Sequence, residues 1–183
     1  MLEKEDKIYI QSSNQKFMNN LGILVIDMQE DFLNDPLLFK ETEKERLVNA
    51  QIKFLNIARE KQIPVFTLEY NGSGRTIPKL KKILRESKSY FVKKNYCGGF
   101  NKNEAFSCLL ERWRIKNLIL TGIYANACVC ETTKGAKEKG MNVFTSRELM
   151  NEMFESDIRW YQKNTTYFQN LDDLIKEISN PNL

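Results

Sequence analysis

Two apolar runs constrain most strongly what this chain can fold into. Residues 21–27 read LGILVID and residues 117–123 read NLILTGI, with little of the polar alternation of a half-exposed strand. Such runs are typical of parallel strands that are buried on both faces. Each is far shorter than the roughly 20 apolar residues that cross a bilayer. We therefore expect a sheet covered by helices on both sides, and no membrane partner.

Segments of helical period alternate with strand-like runs along most of the chain. Six βα steps joined by right-handed crossovers predict an α/β fold with a parallel sheet between layers of helices. No linker rich in Pro, Gly or Ser marks a second domain, so we expect a polar arm at 1–20 and a single domain at 21–183. Besides the two apolar runs, the expected strands are 63–69, 89–93, 142–145 and 165–168, and the expected helices are 43–61, 76–87, 103–114, 126–139, 156–163 and 171–178.

The composition excludes several classes of site. The chain has no histidine, which removes Ser-His-Asp and Cys-His nucleophilic systems and every His-ligated metal centre. Its four cysteines among 183 residues do not form a disulfide scaffold, so free thiols in a reducing cytoplasm are the simpler interpretation. The 28 basic and 24 acidic residues are interspersed, and the first residues carry charge instead of a secretion signal. We expect a cytoplasmic protein that does not bind nucleic acid.

Polar residues follow three of the expected strands. Ligands of parallel sheets bind beyond the carboxyl ends of the strands. Asp27 ends the first apolar run, Lys94 follows the strand at 89–93, and Cys128 lies where the second apolar run turns into a helix. A helix start favours a thiolate, so Cys128 is placed as a nucleophile would be.

Each of these residues also has an ordinary structural interpretation. A buried cysteine often serves as a small apolar side chain, an aspartate can cap a loop or helix, and a lysine usually extends to solvent. Lys93 competes with Lys94 for a catalytic role. The combination of Asp27, Lys94 and Cys128 at matching strand ends is stronger evidence for a catalytic site than any one of them.

Three motifs resemble those of the isochorismatase-like cysteine hydrolases, which include nicotinamidases, N-carbamoylsarcosine amidohydrolases and ureidoacrylate hydrolases. They are Val-Ile-Asp-Met-Gln-Glu-Asp-Phe at 25–32, Lys94 six residues before Phe100, and Thr-Gly-Ile-Tyr-Ala-Asn-Ala-Cys-Val at 121–129. The resemblance spans about residues 22–145. It implies a three-layer α/β/α sandwich with a parallel six-stranded sheet, and a homodimer or homotetramer.

The resemblance also implies roles for individual residues. Cys128 is the nucleophile, Asp27 the general acid and base, and Lys94 the cation that orients and balances them. A cis peptide is implied between Ile123 and Tyr124, and the N–H groups of Tyr124 and Cys128 would form an oxyanion hole. The implied activity is hydrolysis of a small amide, carbamoyl or ureido substrate through a thioester.

Departures from the family pattern narrow this expectation. Nicotinamidases hold a metal with an Asp-x-His motif, whereas residues 67–71 read Thr-Leu-Glu-Tyr-Asn, so we expect no metal and no cofactor. Isochorismatases proper lack the cysteine, so Cys128 favours an amidase. Gly98 and Gly99 replace the usual Ser-Ala pair. Five aromatic residues are predicted to contact the substrate, with core or subunit-interface packing as the alternative for each: Phe32, Tyr70, Tyr96, Phe100 and Tyr124.

Three other functions remain open from the sequence. The chain could be a binding protein that keeps the fold without turnover, or an isochorismatase-type enzyme. Thiol redox chemistry by Cys128 and Cys130 is the third, with Cys130 as a resolving thiol. Packing of Cys130 against the sheet is the simpler interpretation of that residue.

Overall fold

Six parallel strands form one sheet in the order β3-β2-β1-β4-β5-β6. The computed structural model describes residues 20–35, 39–151 and 154–179. Of the polar arm expected at 1–20, all but Asn20 lies outside the described residues. The strands are β1 Leu21–Ile26, β2 Val65–Tyr70, β3 Ser89–Lys94, β4 Asn117–Gly122, β5 Asn142–Ser146 and β6 Thr166–Phe168.

Helices connect the strands in chain order. Most match the expected segments within a few residues, as α/β alternation requires. The short helix α1 was not expected, and the helix predicted from residue 126 begins instead with a π-helical turn at Ala125–Val129. The α-helices are α1 Glu30–Leu33, α2 Glu41–Glu60, α3 Pro78–Arg85, α4 Glu104–Arg112, α5 Cys130–Glu138, α6 Glu155–Asn164 and α7 Leu171–Ser179, and a 3₁₀ turn spans Arg147–Leu149.

Alternate residues of β1 pack into two separate apolar cores. Ile23 and Val25 face α2, α3 and α7, while Leu24 and Ile26 face α4, α5 and α6. All six residues of β1 are buried, as the apolar run predicts. The three-layer α/β/α sandwich with a parallel six-stranded sheet is therefore confirmed. In the described residues, none of the helices is long and apolar enough to cross a membrane.

The strand order places a crevice where β1 and β4 lie side by side. The chain leaves β1 toward β2 and β3 and then crosses to β4, so the connections diverge at the carboxyl ends of these two strands. Gly122 ends β4 with a φ of +126°, and any Cβ there would collide with the backbone of Ile26. Glycine thus permits the close approach of the two strand ends at which the candidate site lies.

Candidate active site

Asp27 follows β1 in a left-handed backbone conformation. Its φ is 53°, a region that aspartate tolerates better than most residues. Its N–H still donates to the carbonyl of Leu68 in β2, at 3.0 Å, so the turn remains fixed to the sheet. The residue is 1% exposed. A carboxyl group is thereby buried at the carboxyl edge of the sheet.

Lys94 ends β3 and reaches across β2 to Asp27. Its Nζ lies 2.8 Å from Oδ2 of Asp27, and both side chains are buried. The same ammonium group donates to the carbonyls of Tyr96 and Cys97, each at 3.2 Å. It also lies 4.7 Å from the centre of the Tyr70 ring. Lys94 is therefore fixed from several sides.

Lys93 makes a different ion pair. Successive strand residues point to opposite faces, so Lys93 and Lys94 diverge. Nζ of Lys93 lies 2.9 Å from Oε2 of Glu69, in a pair whose lysine is about half exposed. Of the two lysines, it is Lys94 that the structure brings to Asp27.

Cys128 lies in the π-helical turn between β4 and α5. Nζ of Lys94 is 3.5 Å from its Sγ, so Asp27, Lys94 and Cys128 meet at one point. Cys128 as a whole is partly exposed. The three strand-end residues singled out in the sequence therefore converge.

The turn that carries Cys128 is fixed at Ala125. Its N–H donates to Oδ1 of Asn151 at 2.7 Å, and its carbonyl accepts from the Tyr161 hydroxyl at 2.6 Å. The carbonyl of Tyr124 accepts from the N–H of Val129 at 3.1 Å, which is the five-residue spacing of a π turn. The Ile123–Tyr124 peptide bond is cis.

Burial raises the pKa values of both reactive groups. Desolvation raises the pKa of the Asp27 carboxyl above its ordinary value of 3.8, although Lys94 opposes the shift. Desolvation, and then the Asp27 carboxylate, raise the pKa of the Cys128 thiol. The expected lowering of the thiol pKa by the helix start is thus wrong for the net shift, because burial and Asp27 outweigh it.

Aromatic rings form a wall beside these three residues. The Phe32 ring lies 6.4 Å from that of Tyr70 and 6.1 Å from that of Tyr124, and Phe39 lies 5.8 Å from Tyr124. The hydroxyl of Tyr124 is buried and has no hydrogen-bond partner in the described part of the chain. Burial raises the pKa of this hydroxyl to about 12, so it carries its proton.

The other two predicted aromatic contacts lie elsewhere. Phe100 packs 5.0 Å from the ring of Phe106, in the core on the α4 side of the sheet. Tyr96 is 43% exposed and lies under the ammonium group of Lys102. Only the backbone carbonyl of Tyr96 contacts Lys94. The structure therefore brings Phe32 and Tyr70, but not the rings of Phe100 and Tyr96, to the wall beside the triad.

Sequence reasoning missed three side chains that contact the site. Cys97 has its Sγ 3.4 Å from that of Cys128. Gln29 is fully buried and bonds both the N–H and the carbonyl of Tyr70, joining the ends of β1 and β2. Asn151 fixes the turn at Ala125. Gln29 lies within the first motif and Cys97 lies three residues after Lys94, which was a usable signal, whereas Asn151 follows the last recognisable motif.

The sequence matches one family model over most of this fold. The Isochorismatase domain model covers residues 22–159, which include Asp27, Lys94 and Cys128. The chain belongs to this isochorismatase family. The family includes hydrolases of small molecules, and the match confirms the resemblance of the sequence motifs.

Solved structures with this fold bear different names. A nicotinamidase from Staphylococcus aureus is 21% identical, with a TM-score of 0.73 over 83% of this chain and 100% of its own. The MAR1 ribonuclease from Caenorhabditis elegans is 21% identical, with a TM-score of 0.71 over 88% and 82%. An N-carbamoylsarcosine amidase from Thermoplasma acidophilum is 15% identical, with a TM-score of 0.70 over 81% and 94%. No curated protein matches the sequence. At these identities the likeness shows the fold alone.

The metal of the nicotinamidase branch does not fit the residues present here. Glu69 lies in the stretch that corresponds to the Asp-x-His motif, but Thr76 donates its N–H and hydroxyl to Oε1, and Lys93 pairs with Oε2. The described residues contain no group of three His, Cys, Asp or Glu side chains that could hold a metal ion. The carboxylate that a metal would need is already bonded, and the chain supplies no imidazole.

Proposed function

We propose that this member of the isochorismatase family is a metal-independent cysteine hydrolase of a small amide, carbamoyl or ureido substrate. The observation that carries the proposal is the position of the Lys94 ammonium group, 2.8 Å from the Asp27 carboxylate and 3.5 Å from the Cys128 thiol. A nucleophile, a base and a cation in mutual contact are the parts that covalent hydrolysis requires.

The raised pKa values of Asp27 and Cys128 support the following order of proton transfers. Cys128 keeps its proton until a substrate carbonyl approaches, and Asp27 then accepts it as the carbon–sulfur bond forms. Asp27 passes this proton to the leaving amine, and a thioester remains on Cys128. Asp27 next takes a proton from water, which attacks the thioester. The carbon–sulfur bond breaks, the acid leaves, and Asp27 returns its proton to the Cys128 sulfur. Lys94 keeps Asp27 ionised and supports the transient thiolate.

The N–H groups of Tyr124 and Cys128 are proposed to bind the oxyanion. The support is the fixed turn between them, held at Ala125 by Asn151 and Tyr161. Fixed donors of this kind contribute about 3 to 4 kcal/mol each in measured enzymes.

The aromatic wall favours a substrate with a flat or apolar group beside its amide. Phe32, Tyr70 and Tyr124 offer ring edges and faces next to the triad. The Tyr124 hydroxyl, which has no hydrogen-bond partner among the described residues, supplies one donor for a polar atom of the substrate. Gly99 lies close to Leu68 and Thr132, so a side chain at this departure from the family pattern would require the Leu68 side chain to shift.

We further propose a homodimer or homotetramer that works in the cytoplasm. The exposed ring of Phe91, on the edge strand β3, and that of Phe154 support self-association. The unpaired thiols support a reducing compartment. Light scattering on the purified protein tests the assembly, and a monomer at micromolar concentration would contradict it.

The test of the activity is a panel of small primary amides, carbamoyl and ureido compounds, with released ammonia as the readout. We expect Cys128→Ala to abolish turnover, and Cys108→Ala, at an exposed thiol on α4, to retain it. Intact-mass measurement during turnover should find an acyl group on Cys128. Dialysis against a chelator should leave the rate unchanged.

Two outcomes would contradict the proposal. Turnover that survives Cys128→Ala excludes a covalent cysteine mechanism. A wild-type protein that releases no ammonia from any compound of the panel, and that carries no acyl group on Cys128 by intact-mass measurement, supports a binding protein on the same fold.

A further inference from the structure

A second thiol lies against the proposed nucleophile. Sγ of Cys97 is 3.4 Å from Sγ of Cys128, and both residues are partly exposed. Cys130, the partner considered from the sequence, is two positions further along a helical segment, and such positions project to different sides. The sulfur atom in contact with Cys128 therefore comes from the loop after β3.

Backbone contacts hold the two thiols in this arrangement. The carbonyl of Cys97 accepts from Nζ of Lys94 at 3.2 Å. Two residues later, the N–H of Gly99 donates to the Thr132 hydroxyl at 2.9 Å, and that hydroxyl donates to the carbonyl of Cys128 at 2.6 Å. One threonine thus joins the loop of Cys97 to the helical segment of Cys128. Hydrogen bonds on both segments therefore hold the two sulfur atoms in contact.

The remaining distance to a covalent bond is short. Sulfur atoms in a disulfide are about 2.05 Å apart, so the two atoms need to approach by roughly 1.4 Å. Rotation of the side chains about their Cα–Cβ bonds moves each sulfur atom by that order. Both residues are also partly exposed, as access of a small oxidant and a reductant requires.

We propose that Cys97 is a resolving thiol, and that peroxide converts Cys97 and Cys128 into a reversible disulfide. The Cys128 thiol passes its proton to Asp27 as its sulfur attacks one peroxide oxygen, which forms a sulfur–oxygen bond and breaks the oxygen–oxygen bond, and the hydroxide that leaves takes up this proton as water. The Cys97 sulfur then attacks the sulfenic sulfur of Cys128 and displaces its hydroxyl group. The two thiols lose two electrons and two protons in total, and hydrogen peroxide becomes two water molecules.

The disulfide would reversibly inactivate the proposed active site. With its sulfur bonded to Cys97, Cys128 has no free thiol for attack on a carbonyl, and a thiol reductant restores it. The bond also stops Cys128 from advancing to the irreversible sulfinic acid. The loss of activity rests on the proposed function, whereas the crosslink itself does not.

The test uses the full-length wild-type protein and hydrogen peroxide. After denaturation in an alkylating agent, peptide mapping without reductant should identify a Cys97–Cys128 crosslink that dithiothreitol removes. In Cys97→Ala, peroxide should instead convert Cys128 into a sulfinic acid that dithiothreitol does not reverse. Cys130→Ser and Cys108→Ser are matched controls, and both should form the crosslink as wild type does.

Three outcomes would overturn the inference. One is a crosslink that joins Cys130 to either thiol in place of the expected pair. Another is loss of the crosslink in Cys130→Ser, and the third is equal sulfinic acid formation at Cys128 in wild type and Cys97→Ala. All these readouts are masses. A protein that forms the crosslink but hydrolyses no amide would therefore contradict the proposed function and leave this inference intact.

Discussion

Neighbouring residues of β3 form two lysine–carboxylate ion pairs that differ in how deeply they are buried. Lys94 pairs with Asp27, and their side chains are 0% and 1% exposed. Lys93 pairs with Glu69, and their side chains are 51% and 8% exposed. The pleat of the strand sends the two lysines to opposite faces. A step of one residue along the strand therefore separates a buried pair at the proposed active site from a partly hydrated one.

The surroundings of the two carboxyl groups explain why their pKa values move in opposite directions. Glu69 accepts two hydrogen bonds from Thr76 in addition to the ion pair, and together these lower its pKa although burial opposes them. At Asp27, burial outweighs the stabilisation by Lys94 and raises the pKa. The outer carboxylate is stabilised as an ion. The inner carboxyl group accepts a proton more readily, as a general base must.

The largest expected difference is between Lys94→Met and Lys93→Met. Lys94→Met leaves a buried carboxyl group without a cation, so we expect amide hydrolysis to fall by roughly 10²- to 10³-fold. Loss of one partner of a buried pair should also lower the free energy of unfolding by about 3 to 5 kcal/mol. Lys93→Met removes a half-exposed partner, and its cost should be about 0 to 1 kcal/mol.

Ammonia release and urea unfolding measure the two effects. Each variant is assayed at a temperature where circular dichroism shows it folded, so that lost activity is not lost structure. Equal effects of the two substitutions would show that burial of the Asp27 pair has no special role. A larger effect of Lys93→Met would transfer the catalytic assignment to that lysine.

The pH dependence should have opposite signs for the two carboxyl groups. Because the pKa of Asp27 is raised in the folded state, the folded protein holds its proton longer, and this contribution to stability is lost as pH rises from about 3.8 through the raised pKa. The pKa of Glu69 is lowered, so its contribution is present above about 4.5 and is lost as pH falls through the lowered pKa. Side-chain carboxyl resonances in an NMR titration measure both pKa values.

Of these two carboxyl groups, only the ionisation of Asp27 should determine the pH dependence of kcat/KM. Since Asp27 must be ionised to accept the thiol proton, kcat/KM should rise with pH through its raised pKa. Glu69→Gln should leave the midpoint of this acid limb unchanged. An acid limb at or below the ordinary aspartate value of 3.8 would contradict the role of Asp27 as the base.

The sequence was most informative where local pattern and long-range structure agree. An apolar run such as 117–123 must be buried on both faces, so the parallel sheet and its site-bearing edge could be predicted without coordinates. The convergence of Asp27, Lys94 and Cys128 follows from the same rule, because the carboxyl ends of parallel strands share one edge.

The rest depends on packing that no local pattern encodes. The contact of Cys97 with Cys128 arises because the loop after β3 folds back over α5, where the N–H of Gly99 donates to the Thr132 hydroxyl. The net pKa of Cys128 depends on how deeply its turn is buried and on Asp27, which sequence spacing does not give. Phe100 has a ring suited to a substrate wall, but its strand-following loop points it into the core.

The smallest expected effect concerns the two rings that lie near lysine ammonium groups. Tyr70 lies 4.7 Å from Nζ of buried Lys94, whereas Tyr96 lies 5.3 Å from Nζ of Lys102 at the surface. Cation–π attraction is stronger where water is excluded, at about 1 kcal/mol or more, so Tyr70→Leu should lower kcat/KM about fivefold. Tyr70→Phe keeps the ring and should retain most activity, and Tyr96→Leu should change the rate less than Tyr70→Leu. Equal loss of activity in Tyr70→Phe and Tyr70→Leu would show that the Tyr70 hydroxyl, and not the face of its ring, supports the site. The contrast between the buried and the exposed lysine would then not extend to their aromatic neighbours.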